Sequence, residues 1–351
     1  MHVFSPEIIQ QIEAHLSDAL PYPPSANSNK QVRATVKIES IEALFGGDSA
    51  EAAKLNCLIG RSGEPATAAT SRSFFAKYQR DSAPLKSELD NLQTLNLCIP
   101  GHCPQALFLL EFNAGAILVL NYLQLSKLDT SEACLNGSYL SNSHISNSHQ
   151  GDKALNKHSE KLQQEQLAEL ILKLHSHKST LYGWPKDNYC GQGQQFNGQS
   201  DNWAQFWWQQ RLLPQWQLAD RRGLLASLAP LEAPLKQACE SLLGKHQPEA
   251  SLLHGDLWSG NAAFSDGRPV IFDPACYYGD VEAELAMCRL FGGFSEAFYR
   301  RYFKQKSRPG WQQRLALYQL YHLFNHLTIF GGSYENQCRR CIEQVIQDAG
   351  I

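Results

Sequence analysis

The sequence predicts an α+β chain in two unequal parts: an antiparallel sheet with one inserted helix, then a mostly helical part. Three observations carry that prediction. Residues 32–125 hold short apolar runs separated by turn residues, the pattern of strands. Beyond residue 161, apolar residues recur mainly at helical spacing. One stretch, residues 252–279, interrupts the helices with Gly, Asp and Pro.

Each element has its own warrant. Ser5 is a capping residue, Pro6 suits a first helical position, and Glu7 favours the positive end of a helix. Ile8, Ile9, Ile12 and Leu16 then share one face, and Pro21, Pro23 and Pro24 end the segment. Runs at 34–38, 52–59, 73–78, 106–112 and 116–123 read as strands, the last two joined by Asn113-Ala-Gly115 as a hairpin. Residues 85–95 read as the inserted helix. Residues 131–161, rich in Ser, Asn and His, read as a solvated insertion. Leu167, Leu170, Ile171 and Leu174 mark an amphipathic helix ending near His175. Helices are then expected at 203–216, 222–243, 282–303 and 314–330. The expected domains are residues 1–123 and 124–351.

Composition narrows the function. The 351 residues are 43% hydrophobic and 19% charged, too apolar for a disordered chain. A net charge of −3 gives no global attraction to nucleic acid or anionic lipid, so neither is an expected partner. Residues 1–20 carry Glu7, Glu13 and Asp18 rather than a secretory leader. The apolar stretch 106–125 is interrupted by Glu111, Asn113 and Gly115, short of a bilayer span. The reading is a cytoplasmic monomer whose ten cysteines are reduced thiols. Cys338-Arg-Arg-Cys341 and the looser Cys98/Cys103 pair lack the paired-knuckle spacing of structural zinc.

The chemistry concentrates in Leu252-Leu-His-Gly-Asp-Leu-Trp-Ser-Gly-Asn261. A carboxylate and an amide five residues apart, in a loop after an apolar strand, suit phosphoryl transfer. Asp256 would take the proton of an attacking hydroxyl. The Asp266-Gly267 turn folds the next residues into a hairpin that returns Asp273 beside Asn261. Asn261 and Asp273 then offer oxygen to a hard cation such as Mg²⁺. His254 reads as a hydrogen-bonder within the loop. Upstream, Lys77 ends a strand and can reach phosphates, and Glu88 on the following helix can pair with it. The Gly46-Gly47-Asp48 turn lets backbone N–H groups approach phosphate. Tyr122 and Leu123 fall near the hinge of such a two-lobed layout. Trp203, Phe206, Trp207 and Trp208 are either a sugar-stacking wall or core aromatics, and Arg211 either meets a carboxylate or stays structural.

These motifs resemble the fructosamine kinase, or ketosamine 3-kinase, family. The most specific resemblance is His254-Gly-Asp-Leu-Trp-Ser-Gly-Asn261 followed by Phe272-Asp-Pro-Ala-Cys-Tyr-Tyr-Gly-Asp280. It implies a two-lobed protein-kinase-like fold and ATP-dependent phosphorylation of a sugar hydroxyl on a glycated amine. Asp256 resembles the catalytic base, Asn261 and Asp273 the metal ligands, Lys77 and Glu88 the nucleotide anchor, and Gly46-Gly47-Asp48 the phosphate loop. Trp258, Asp280 and Trp203 are the substrate-side candidates. Two features depart from the family: Val281 stands where it usually has Arg, and residues 58–71 look inserted. An aminoglycoside- or choline-type acceptor and a non-catalytic nucleotide-binding module remain the alternatives.

Overall fold

Ser5 Oγ accepts the Ile8 N–H, Pro6 occupies the first turn, and helix α1 runs Pro6–Ala19. The computed structural model describes residues 3–20, 33–44, 50–61, 69–128, 150–292, 294–304 and 308–351. Gly46, Gly47 and Asp48 lie outside the described residues. The chain divides into two units, Met1–Leu97 with Cys103–Gln124, and Cys98–His102 with Leu125–Ile351.

In the first unit α1 precedes strands β1 (Ala34–Leu44), β2 (Glu51–Arg61) and β3 (Thr70–Gln79). Helix α2 (Ser82–Cys98) and the hairpin β4 (Ala106–Phe112) and β5 (Gly115–Asn121) follow. All neighbours in the sheet order β1-β2-β3-β5-β4 are antiparallel. Phe74, Ala76 and Tyr78 of β3 pack with Ile8, Ile12 and Leu16 of α1. The two-residue period therefore sends Lys77 to the other face, where α2 supplies Glu88. Helix α1 also closes the edge of β1. Ser17 Oγ accepts the Val36 N–H at 3.1 Å and Glu13 accepts that of Ile38 at 2.7 Å. An edge strand so occupied is blunted against foreign pairing.

The second unit holds β6 (Ser126–Lys127), α3 (Gln150–His175), β7 (Lys178–Ser179), β8 (Asn188–Cys190) and β9 (Gly193–Gln195). Helix α4 (Trp203–Phe206) runs through a π-helical turn, Trp207–Leu212, into α5 (Leu213–Arg221). Then come α6 (Glu232–Leu243), β10 (Ala250–Leu253), β11 (Ala262–Ser265), β12 (Arg268–Ile271) and β13 (Tyr277–Gly279). Helices α7 (Val281–Leu290), α8 (Glu296–Phe303), α9 (Trp311–Phe330) and α10 (Glu335–Asp348) complete it. Among the described residues these strands form three small antiparallel sheets, β13-β10-β7, β12-β11-β6 and β8-β9. Helix α9, with Leu317, Leu320, Tyr321, Phe324 and Leu327 buried, packs against α5, α7 and α10.

Three helix extents are corrected. Helix α3 starts at Gln150, although apolar spacing marks it only from Leu167, so residues 150–161 are helical. The helix expected at 282–303 is two helices, because Gly292 at φ +78° turns the chain out of α7. The helix expected at 222–243 starts only at Glu232, after a turn containing Pro230. Cys338 is buried in α10 and Cys341 Sγ lies 3.1 Å from Ala316 O. Burial pushes the Cys338 thiol up to about 12, where it stays protonated. Among the described residues, no helix is long and apolar enough to cross a membrane.

Candidate active site

In the first unit, Lys77 Nζ donates to both Glu88 oxygens, at 3.0 and 2.8 Å. Both side chains are 11% exposed, so water screens the pair weakly. Position follows from register: Lys77 lies between Ala52 of β2 and Leu118 of β5, mid-sheet. Tyr122 follows β5, and Lys54 sits over its ring at 5.0 Å. Leu123 is half-buried beside it.

In the second unit, β10 ends in the loop His254-Gly-Asp256. Gly255 adopts φ +84°, and a Cβ there would lie 2.0 Å from the Ala275 carbonyl oxygen. Only glycine fits that backbone approach. Glu284 of α7 holds the loop from below: its Oε1 accepts the His254 N–H at 3.0 Å and its Oε2 the Gly255 N–H at 2.7 Å. Glu284 Oε1 is also 2.9 Å from His175 Nε2, and His175 Nδ1 is 2.6 Å from the Tyr302 hydroxyl. Burial pushes the Glu284 carboxyl up, but His175 and the loop N–H groups outweigh it and hold the group below the usual range. His254 Nε2 lies 3.0 Å from Phe272 O, and burial lowers its pKa. It is a structural hydrogen-bonder, as the sequence suggested.

Asp256 follows this anchored turn. Asn261 Nδ2 donates to the Asp256 carbonyl at 2.8 Å and lies 3.3 Å from its Oδ2. That use of the nitrogen leaves the Asn261 amide oxygen as the group with lone pairs for a cation. Hairpin β11–β12 turns at Asp266-Gly267, both at positive φ, and pairs Ala262 with Ile271. The Phe272 N–H donates to Asn261 O at 3.1 Å, which brings exposed Asp273 to Asn261. Asp273 itself sits at φ +57°, a left-handed conformation costly for a non-glycine residue. Burial pushes the Asp256 carboxyl up to about 7, the Asp273 carboxylate pushes the same way, and hydrogen bonds from Cys190 and Asn261 oppose them. This crowding of carboxylates beside an amide oxygen fits a hard divalent cation.

A buried amide network fixes the chain after Asp273. Asn188 Nδ2 donates to Cys276 O at 2.8 Å, and Gln195 Nε2 to Ala275 O at 2.9 Å. Tyr321 Oη donates to Gln195 Oε1 at 2.9 Å. Arg211, fully buried on the π-helical turn, donates to Phe196 O and, at 2.9 Å, to Asn197 Oδ1. The rings of Tyr277, Phe206 and Tyr321 surround its guanidinium at 4.0, 4.7 and 5.5 Å. The structural reading of Arg211 therefore holds.

Two of the substrate-side candidates are enclosed by their neighbours. Trp203 is fully buried, stacked among Tyr182, Phe206 and Trp207, and its indole N–H donates to Tyr318 Oη at 2.9 Å. Asp280 is 1% exposed, caps α7 through the Glu282 N–H, and accepts from Tyr318 Oη at 2.7 Å. His246 Nε2 is also 2.7 Å from Asp280 Oδ2. Buried Val281 thus leaves Asp280 anchored by His246 and Tyr318. Trp258 differs: it is half-exposed and meets Phe291 edge-on at 6.5 Å, and Phe291 continues to His326 at 4.5 Å.

Sequence reasoning missed the supports, Glu284, His175, Cys190 and His322. Cys190 ends β8, and His322 Nδ1 on α9 lies 3.8 Å from Asp256 Oδ1. Burial, with the charges of His326 and Arg211, pushes His322 down to about 3, leaving it neutral. The four lie in different elements. Only the apolar surroundings of each hinted that a buried polar group would need partners.

The family model described as "Fructosamine kinase" matches residues 23–155 and 153–348. A probable ketoamine kinase of Vibrio vulnificus is 32% identical over 277 residues, 79% of this chain and 83% of that protein. One of Synechocystis is 46% identical over 171 residues, 48% of this chain, and the match spans only 57% of its own length. The crystal structure of a putative fructosamine-3-kinase from Haemophilus somnus superposes with TM-score 0.68 at 25% identity, over 89% of this chain and 92% of that one. The aminoglycoside phosphotransferase APH(4)-Ia, solved with AMP-PNP and hygromycin B, has TM-score 0.54 at 15% identity, covering 89% and 95%. At that identity it speaks for the shared kinase-like fold alone. With the family's model spanning nearly all of both units and a relative matched over most of its length, the chain belongs to the fructosamine kinase family.

Proposed function

We propose that the chain is an ATP-dependent kinase that phosphorylates a sugar hydroxyl of ketoamines, the glycated amines of the ribulosamine and fructosamine type. The observation that carries this reading is Asp256, held on the Glu284-anchored loop beside Asn261. Asp256 accepts the proton of the acceptor hydroxyl as its oxygen attacks the γ-phosphorus. The bond from that phosphorus to the ADP oxygen breaks, and the products are the phosphate ester and ADP. A carboxyl at about 7 takes that proton readily near neutral pH. Asn261 and Asp273 would hold Mg²⁺, which when bound neutralises charge on the transferring phosphate. Lys77, steadied by Glu88, meets the α- and β-phosphates, and Tyr122 and Leu123 border the base. Trp258 is the remaining candidate for the sugar. The rate gain comes from positioning and electrostatics, with no covalent enzyme intermediate.

The test is an acceptor panel with free ribulosamine and fructosamine lysine, a glycated protein, an aminoglycoside and choline. ADP release is followed, and phosphorus NMR locates the modified hydroxyl. Ketoamine phosphorylation is expected. Preferred transfer to the aminoglycoside or choline, or ATP binding without transfer to any acceptor, overturns the reading.

A further inference from the structure

Asp256 faces a second set of donors that phosphoryl transfer does not use. A ligating atom from each of Cys190, Asp256 and His322 lies within 4.8 Å of the other two. They come from three separate segments: the end of β8, the loop after β10, and α9. Each is held in place. The Cys190 carbonyl accepts from Asn325 Nδ2 at 3.2 Å, the Asp256 carbonyl from Asn261 at 2.8 Å, and His322 is built into a buried helix. His322 is 5% exposed, yet its Nδ1 makes no hydrogen bond and points to Asp256 Oδ1 across 3.8 Å. A buried polar nitrogen without a hydrogen bond is destabilising unless something else engages it. That separation also exceeds a hydrogen bond, but suits two ligands of one ion at roughly 2 Å from each.

Thiolate, imidazole and carboxylate together are the donor set of zinc, not of magnesium, which keeps to oxygen. Three protein ligands with the fourth position open is the usual form of an accessible zinc site. The Asp256 side chain is 18% exposed, so the position is reachable from solvent. The other described His/acid cluster, His246 with Asp280 and Glu282, is already committed: Arg314 and Tyr318 engage its carboxylates.

We propose that Cys190, His322 and Asp256 form an inhibitory site for Zn²⁺ or a similar borderline-soft divalent cation. Cys190 Sγ, His322 Nδ1 and one Asp256 oxygen bind the ion, the thiol proton leaves to solvent, and water fills the fourth position. No electron is transferred. The ion takes the carboxylate that would otherwise receive the acceptor's proton, so loaded protein is inactive. Inhibition rests on the proposed role of Asp256, whereas binding does not.

The experiment uses the full chain, stripped with chelator and titrated with Co²⁺ alone. One equivalent is expected to produce a thiolate-to-cobalt charge-transfer band and strong tetrahedral d–d absorption. Cys190→Ala should abolish the band, and a Cys338→Ala, Cys341→Ala double variant should keep it. His322→Ala and the milder His322→Gln should each weaken Zn²⁺, measured against a chromophoric chelator, by at least about 100-fold. Thermal melting identifies any variant that fails to fold, and the second His322 variant then carries the comparison. Excess Mg²⁺ should leave the band unchanged. Absence of the band, or its persistence in Cys190→Ala, overturns the site. A band that depends on Cys190, with turnover untouched by stoichiometric Zn²⁺, keeps the binding site and overturns the inhibition together with the role of Asp256.

Discussion

Glu284 accepts the Gly255 N–H at 2.7 Å, so one carboxylate on α7 sets the backbone leading into Asp256. Glu284→Ala leaves two loop N–H groups and His175 without that partner, and should cost about 3–5 kcal/mol. Urea unfolding measures it. The pH dependence has a definite sign. The native carboxyl lies below its ordinary value, so its stabilisation is complete above the unfolded value of about 4.3 and is lost as pH falls from there through the native one. Glu284→Gln should flatten the urea midpoint across that acidic window. An unchanged acid limb would refute this account of the loop.

Asp256→Asn keeps the shape of the side chain and removes its basicity. Turnover should fall by roughly 10²–10⁴-fold, with ATP affinity nearly unchanged. Asp273→Ala should instead raise the Mg²⁺ concentration needed for half-maximal ATP binding. Titration at fixed nucleotide separates the two effects.

Lys77→Met leaves Glu88 buried opposite an apolar chain. We expect kcat/KM for ATP to drop about 10²–10³-fold, the loss typical of one positioned electrostatic group. A melting-temperature decrease should accompany it. Glu88→Gln should be milder, since it retains a hydrogen bond to the amine.

Gly255→Ala places a methyl group against the Ala275 carbonyl at a left-handed φ. Backbone strain alone costs about 1–3 kcal/mol, and relieving the clash must move the loop. Lower stability together with a reduced kcat is expected from denaturation and steady-state kinetics.

Trp203→Phe tests whether that ring serves the core or the acceptor. The indole N–H bond to Tyr318 is lost, so stability should drop by about 1–3 kcal/mol. The acceptor KM should not move, because the ring is fully buried. A selective rise in that KM would restore the substrate reading.

The sheet of the first unit was legible because its strands are short apolar runs bounded by turn residues, as β4 and β5 show on either side of Asn113-Ala114. The Asp266-Gly267 turn and the Asp256–Asn261 spacing were equally local, and each formed where the residues implied. What escaped was non-local. Nothing near Arg211 signals that Tyr277 and Tyr321 join Phe206 around it, nor does Asp280 announce His246 as its partner. The start of α3 escaped because residues 150–161 carry too little apolar periodicity to distinguish helix from solvated loop.

Neither unit is a continuous run of sequence, because Cys98–His102 belongs to the second while lying between pieces of the first. That short segment is not idle: His102 O accepts the Ile271 N–H at 2.9 Å, and His102 Nδ1 is 2.8 Å from Pro269 O. A single cut at residue 124 would therefore strip β12, the strand leading to Asp273, of two of its hydrogen bonds. For protein engineering, this chain has three seams rather than one. A chimera exchanging its first unit must leave residues 98–102 with the second.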